Sequence, residues 1–537
     1  MITIDRILFN GHIRTLDPAR PSVSALAVIG ERIVAVGDDS LRDLAGPGTA
    51  LDDLGGRAVL PGLTDAHLHW SWLARALQSV DLFEVPTKEE ALRRVRARVE
   101  QTPPGEWVTG RGWLQDRWPD PAFPTAADLD AAAPDHPVYL SARSGHAAWV
   151  NSAALRLAGL TAETPDPDGG AIQRDSAGRP TGILLEDPAM KLVSDLIPEP
   201  LPETLADWMG QAQAMAWRVG LTGFHDFDGP DCLTALQILR ERGQLGLRVV
   251  KNVNDSWIAP LLEAGIRWGF GDDWIRIGGQ KIFADGALGP RTAAMLAPYE
   301  GEPDNYGIVV TDKEEMAERV LRASAAGLPS AIHAIGDRAV HDVLDVYEMA
   351  RRQEAEQGVP RSARRHRIEH VQVIHPDDVG RLAALGLVAS MQPIHATADY
   401  PMVDRYWGAR GEWAYNFRAQ LARGVILAFG SDSPVEPLDP RQGVHAAVTR
   451  RRADGSPGPD GWYPQGRLTL DEAVRGFTQG PAYAAGLEDR LGRLAPGCLA
   501  DLIVLAEDWY AIPPEAILTA EVVGTMVGGV WRHRVFG

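Results

Sequence analysis

The sequence predicts an α/β protein: a TIM-like (β/α)8 barrel, with a small β-sandwich domain built from both termini and a large insertion after barrel strand 1. Three observations lead there. The middle of the chain alternates short apolar runs with helical patterns, as expected of a parallel sheet wrapped by helices. Both ends carry strand-like runs separated by turn residues. About 150 residues separate the first two barrel strands, far more than an ordinary connection needs.

In chain order, Ile2 to Leu8, Ala25 to Ile29 and Arg32 to Val36 read as short strands, with turns at Asn10-Gly11 and Gly30-Glu31. The barrel strands are expected at Ala58–Asp65, Thr222–Asp226, Leu247–Asn252, Trp274–Phe283, Pro329–His333, Arg367–His370, Val388–Gln392 and Val425–Gly430. Helical patterns between them include Lys313–Ala326, Ala339–Gln357 and Pro376–Leu385. The long interval holds an apolar segment, Pro137–Ser141, and a turn-rich stretch, Thr164–Gly182; it reads as a subdomain covering the barrel mouth. Ala500 to Leu505, Val522 to Val527 and Val530 to Val535 resume the strand texture, with Gly528-Gly529 as a hairpin turn. The expected division is therefore sandwich at 1–57 and 484–537, barrel at 58–483, and insertion at 70–217.

Composition narrows the function classes. With 537 residues, two or three structural units are expected. The 45% hydrophobic and 23% charged contents suit an ordinary globular protein. A net charge of −19 argues against nucleic-acid and anionic-membrane partners, which favour a basic face. Two distant cysteines, Cys232 and Cys498, make neither a Cys-x-x-Cys site nor a disulfide framework, and read as buried free thiols. The start, Met1-Ile-Thr-Ile-Asp-Arg, shows no signal-peptide pattern, and no apolar stretch reaches the ~18–20 residues of a membrane span, so a cytoplasmic location is expected.

The chemistry starts at Leu60-Pro-Gly-Leu-Thr-Asp-Ala-His-Leu-His69. Strand side chains alternate, so His67 and His69 point the same way and can share one metal ion. Lys281, His333, His370 and Asp432 follow in order, each at or just after an expected strand end, where barrels of this kind carry their active sites. Four imidazoles and a carboxylate suit zinc, as one or two ions. Only five of the 53 basic residues are lysines, so Lys281 in an apolar strand stands out. A lysine cation would repel metal ions. Carboxylation by carbon dioxide makes it an anion able to bridge two of them, and burial frees the amine for that reaction. The alternative is an uncarboxylated lysine beside a single metal. Asp432, in Gly-Ser-Asp-Ser-Pro434, can ligate metal and shuttle a proton from the attacking water to the leaving group.

Secondary candidates surround this set. Trp113, with Gln115 and Asp116, could line the pocket or form an aromatic corner. His146 and Asn151 lie in the insertion; His146 could polarise a carbonyl or brace a loop. Glu186 follows an apolar run. Asp285 and Arg291 follow barrel strand 4; Arg291 could bind a substrate carboxylate or hold the loop in an ion pair, and Asp337 and Arg338 read the same way. Gln392 is a candidate substrate contact at the end of strand 7, while His225 and His395 carry no definite assignment.

The runs Pro61-Gly-Leu-Thr-Asp-Ala-His-Leu-His69, Ser144-Gly-His-Ala-Ala-Trp-Val-Asn-Ser152, Lys281-Ile-Phe-Ala-Asp-Gly-Ala-Leu-Gly289, His333-Ala-Ile-Gly-Asp-Arg338, Ile368-Glu-His370, Met391-Gln-Pro393 and Gly430-Ser-Asp-Ser-Pro434 resemble the amidohydrolase superfamily. Within it the chain is most similar to amidohydrolase family 3, the branch that includes N-substituted formamide deformylase. The resemblance spans nearly the whole chain and implies a metal and catalytic shell of His67, His69, Lys281, His333, His370 and Asp432.

The expectation is a metal-dependent hydrolase that cleaves a non-peptide C–N bond, an amide or N-substituted formamide, by metal-activated water. Asp432 acts as proton shuttle, and His370 either binds metal or polarises the carbonyl. Zinc, or another divalent metal, and a Lys281 carbamate in a two-metal site are the expected cofactors. The partner is a small-molecule amide, and the resemblance also admits a homodimer. Deaminase, cyclic-amidase and esterase reactions are alternatives on the same metal site. A non-catalytic binding protein on the same barrel would have lost ligands, and this chain keeps all six.

Overall fold

The computed structural model describes residues 3–143 and 146–536. Ile2 of the first expected strand, and Ser144 and Gly145 of the run ending at Ser152, lie outside them. The chain divides into two compact units: Met1–Leu73 with Met209–Gly537, and Ala74–Trp208. Among the described residues no helix is long and apolar enough to cross a membrane. Cys232 and Cys498 are free and buried.

The first unit contains a nearly closed eight-stranded parallel barrel. Its strands are β1 (Leu63–Leu68), β2 (Leu221–Asp226), β3 (Arg248–Asn254), β4 (Ile275–Phe283), β5 (Ser330–Ala334), β6 (Arg367–His370), β7 (Val388–Met391) and β8 (Ile426–Phe429), in that spatial order. Every residue of β2, β6 and β7 is buried, as expected for strands covered on both faces. The helix Lys313–Ala326 forms as the sequence suggests: Asp312 accepts from the Glu315 amide at its start, and Gly327 ends it at φ 100°. The expected helix Pro376–Leu385 instead breaks into a 3-10 turn, Pro376–Asp378, and a short helix, Arg381–Leu385, with Gly380 between them.

The first expected strand, Ala58–Asp65, is two strands. Ala58–Pro61 belongs to a six-stranded sheet, between Leu502–Leu505 and His12–Arg14. After Gly62 the chain enters β1. The Gly62 amide donates to Asp501, and the Leu63 amide donates to Gly220, so neighbouring residues serve different sheets. A four-stranded sheet of N-terminal strands shares a core with the six-stranded one, through Leu8, Leu26, Val28, Val59, Leu502 and Met526 among others.

The barrel seam joins β1 to β8. The buried Asp65 carboxylate accepts from the His67 amide at 3.0 Å and from the Ser431 amide at 3.0 and 3.1 Å. The Asp432 amide donates to the His67 carbonyl at 2.7 Å, and the His69 amide to the Ser433 carbonyl at 2.8 Å. Gly430 permits this approach, since a Cβ there would lie 2.5 Å from the His67 nitrogen.

In the second unit, strands lie in a six-stranded mixed sheet with a core around Trp113, Trp118 and Trp149. The turn-rich stretch holds a hairpin of Ala171–Arg174 and Pro180–Leu185.

The seam makes a specific demand on Asp65. Asp65→Ala strands two buried amides, so unfolding free energy should fall by about 2–4 kcal/mol, with Asp65→Asn intermediate. Urea denaturation checks this, and equal stability of Ala and wild type would remove Asp65 from the seam.

Candidate active site

His67 lies in β1, Lys281 in β4, His333 in β5 and His370 at the end of β6. His69 follows β1, Asp432 follows β8, and His395 stands on the helix Pro393–Tyr406 after β7. The rings gather closely: His67 to His370 is 4.9 Å between centroids, and His333 to His370 is 4.7 Å. Oδ1 of Asp432 is 3.5 Å from Nε2 of His67 and 3.5 Å from Nε2 of His69. Two of these residues hold left-handed backbone, His370 at φ 77° and Asp432 at φ 61°. Such conformations are costly for residues with a Cβ and collect at functional sites. At His370 the turn departs from strand alternation, so Glu369 and His370, although neighbours, both contact His67.

What stands behind each imidazole sets its tautomer. Nδ1 of His67 donates to Glu369 at 2.6 Å, Nδ1 of His69 to Asp228 at 2.9 Å, and Nδ1 of His370 to Oε1 of Gln392 at 2.8 Å. Nε2 of His333 donates to the Gly286 carbonyl at 2.9 Å. Each acceptor fixes a proton on that nitrogen, so in the neutral ring the other keeps its lone pair.

Burial and the Lys281 charge lower His67 to about 4 and His333 to about 3. Burial, with His333 next to it, lowers His370 well below the usual range. These three imidazoles are neutral. Burial would lower His69 too, but Asp228 and Asp432 outweigh it and raise it to about 9. Burial would raise Asp432, yet the surrounding histidines hold it well below the usual carboxylate range.

The donor set fits a metal ion. His67, His69 and Asp432 place ligand atoms within 4.8 Å of one another. Two imidazole nitrogens facing one ionised carboxylate oxygen need a cation among them; the high proton affinity of His69 expresses that need, and a divalent metal meets it more completely. Lys281 is buried, has no ion pair among the described residues, and lies 4.8 and 4.7 Å from the Phe227 and Phe283 ring centres. Burial lowers its amine to about 8.

Buried charges brace the shell. Arg367 pairs with Glu369, reaches the Ala66 carbonyl at 2.7 Å and meets Nδ1 of His225 at 2.9 Å. Burial would raise Glu369, but Arg367 and His67 hold it ionised. Asp228 also accepts from the Ser71 and Trp72 amides, at 2.7 and 3.1 Å. Its own amide donates to Asp226, which Lys251 meets at 2.7 Å.

A family model described as "Amidohydrolase family" matches residues 51–533. The chain belongs to the amidohydrolase family. It is 31% identical to N-substituted formamide deformylase of Arthrobacter pascens, over 99% of each chain. It is 33% identical to protein LONG AFTER FAR-RED 3 of Arabidopsis thaliana, over 98% of this chain and 91% of that one. Among solved structures, an uncharacterized metal-dependent hydrolase from Pyrococcus furiosus superposes with a TM-score of 0.77 at 32% identity, covering 94% of this chain and 99% of the other. This amidohydrolase is thus a metal-dependent hydrolase acting on carbon–nitrogen bonds.

The expected substrate contacts all have partners within the fold. Trp113 is buried in the core of its unit, and its Nε1 donates to Leu140 at 2.8 Å. Asn151 accepts from the Val138 and Ala154 amides and donates to His136, capping the helix Ser152–Leu157. The buried Asp285 carboxylate accepts from the amides of Ala294, Ile335 and Gly336, bracing the loop after β4. Arg291 pairs with Glu302, the loop-holding alternative. Asp337 accepts from the Leu296 amide, and Arg338 lies 3.8 Å from Asp342. His146 and Glu186 are exposed and pair at 2.8 Å. Gln392 holds His370.

Sequence reasoning missed Glu369, Asp228, Asp65 and Gln372. For Glu369 and Asp65 a signal was present, an acid inside an apolar strand. Asp228 and Gln372, which faces His395, each stand two residues past an expected strand end, the same offset as Asp432, and that position was their signal.

Removing a brace should weaken the site without emptying the fold. Glu369→Gln and Asp228→Asn should each lower metal affinity about 10- to 100-fold in competition with a chromogenic chelator. Wild-type affinity in both would mean these carboxylates do not orient ligands.

Proposed function

We propose that this amidohydrolase converts an N-substituted formamide, or a closely related amide, and water into the free amine and a carboxylic acid. The observation that carries the reading is the ionised Asp432 oxygen shared by His67 and His69 at 3.5 Å, beside neutral imidazoles. His67, His69, Lys281, His333, His370 and Asp432 would hold zinc, one ion or two. When bound, the metal supplies Lewis acidity, making water a nucleophile near neutral pH and drawing electron density from the carbonyl. Asp432, as the ionised group, takes the proton of the attacking water and delivers it to the amine nitrogen as the C–N bond breaks. His370 keeps its Nδ1 proton on Gln392 and turns a lone pair inward, which suits a ligand rather than a carbonyl-polarising donor.

The formamide class is supported by end-to-end similarity to a relative named for that activity. Two aromatic side chains beside the ligand cluster agree with it. Trp72 stands edge-on to His69 at 5.5 Å, and Phe283 tilts against His333 at 5.2 Å; both are nearly half exposed. They suit an apolar N-substituent.

Metal-loaded enzyme should hydrolyse N-alkyl and N-aryl formamides better than lactams, esters or aminoheterocycles in a coupled amine assay. Chelation should abolish turnover and zinc should restore it. Asp432→Asn should lower kcat by about 100-fold or more. Turnover confined to esters or aminoheterocycles would replace the amide reading, and an active Asp432→Asn would remove the proton shuttle.

Lys281 is proposed as a carbamate, formed when its neutral amine adds carbon dioxide and releases a proton. With the amine lowered to about 8, the neutral fraction rises with pH through that value, and carboxylation should follow. Enzyme equilibrated with 13C-bicarbonate should show a carbamate carbon resonance that strengthens from pH 7 to 9 and is missing in Lys281→Ala. No resonance at any pH would leave an uncarboxylated lysine.

A further inference from the structure

The start of the helix after β7 carries two buried donors without partners. Nε2 of His395 and Nε2 of Gln392 meet no hydrogen-bond acceptor among the described residues, although the two residues are only 5% and 1% exposed. A buried unsatisfied donor costs about 1–3 kcal/mol, so two in one place call for an acceptor that arrives from outside.

His395 differs from the other site histidines in what stands behind it. His67, His69 and His370 give Nδ1 protons to acceptors. Nδ1 of His395 instead faces the Gln372 side-chain amide nitrogen at 3.3 Å, a donor. With the amide nitrogen on that side Nδ1 accepts, which places the proton on Nε2. The inward surroundings agree: Nε2 lies 3.8 Å from Oδ2 of Asp432, beyond hydrogen-bond reach, and an ionised carboxylate favours an N–H over a lone pair on the side facing it. His395, His370 and Asp432 are close enough to resemble a ligand triad. With the proton on Nε2, His395 has no lone pair there for a metal and stands outside that triad.

We infer that His395, assisted by Gln392, donates a hydrogen bond to the carbonyl oxygen of the scissile amide and is not a metal ligand. The inference rests on the amide reading above. An amide nitrogen accepts no hydrogen bond, whereas its carbonyl oxygen has two lone pairs, enough for both donors. The position fits the reaction: the donor faces the carboxylate that moves the proton, so oxygen and leaving nitrogen of one amide group meet neighbouring side chains. As water adds, the oxygen gains negative charge and the Nε2–H bond strengthens, which stabilises the transition state more than the bound substrate.

The test uses the metal-loaded full chain with an N-alkyl formamide. His395→Ala should lower kcat about 100-fold with little change in KM, and His395→Gln, which returns an N–H near the same point, should recover at least ten-fold of that loss. Metal content by elemental analysis should be the same in wild type and both variants. In 15N-histidine NMR of the wild type, the resonances lost in His395→Gln should report the Nε2–H tautomer. Gln372→Glu puts an acceptor behind Nδ1, moves the proton there and should depress kcat as far as His395→Ala does. Loss of one equivalent of metal in His395→Ala, an Nδ1–H tautomer, or unchanged kcat would each overturn the inference. If the wild type hydrolyses no amide at all, the amide reading fails and takes the carbonyl assignment with it; active wild type with indifferent variants fails the inference alone.

Discussion

A neutral imidazole has one nitrogen that holds a proton and one that does not, and a buried one cannot exchange the two freely with water. The atoms behind each ring therefore decide what it can do in front. Glu369, Asp228, Gln392 and the Gly286 carbonyl stand behind His67, His69, His370 and His333 as acceptors, so each ring, when neutral, keeps the lone pair of its other nitrogen; at His69 a metal would take the place of the second proton. The rest of the site follows from that arrangement. Arg367 exists in the barrel interior because Glu369 must stay ionised there, and Lys251 offsets the two aspartates behind His69. Such pairs are costly to bury and are justified by orientation more than by stability.

The scaffold enforces the same geometry by a second route. Asp65 and His67 alternate along β1, so the carboxylate that closes the barrel and the imidazole it adjoins move together. The amide of Asp432 hangs from the His67 carbonyl across the seam, and that hydrogen bond places its carboxylate between the two histidines of β1. The contacts that join the first and last strands thus also hold His67, His69 and Asp432 together, where Gly430 lets those strands approach.

Much of this was legible in the chain itself. Arg367–His370 is a strand as expected, although Ile368 is the one apolar residue of its four and the burial of its charged residues is visible only in the fold. The ligand candidates were legible because each sits where an apolar run stops. Ala58–Asp65 misled because apolarity runs unbroken through Gly62, and periodicity cannot register a change of sheet. Trp113 and Asn151 looked like pocket residues for their chemistry; only burial and partners reveal that a tryptophan N–H and an asparagine amide are already engaged. His395 was beyond reach of any spacing rule, since its role depends on a glutamine 23 residues away that approaches it only in the fold.

The single residue between Ala58–Pro61 and β1 has a wider meaning. Gly62 leaves no linker between the sandwich and the barrel: its Cβ would strike Thr222 at 2.3 Å, and the amides on either side of the junction are tied to separate sheets. The terminal sheets are therefore not a detachable module but the footing of the strand that carries His67. Circular permutation or fusion would be better directed to exposed loops elsewhere, while trimming either terminus would shift the strand that carries His67.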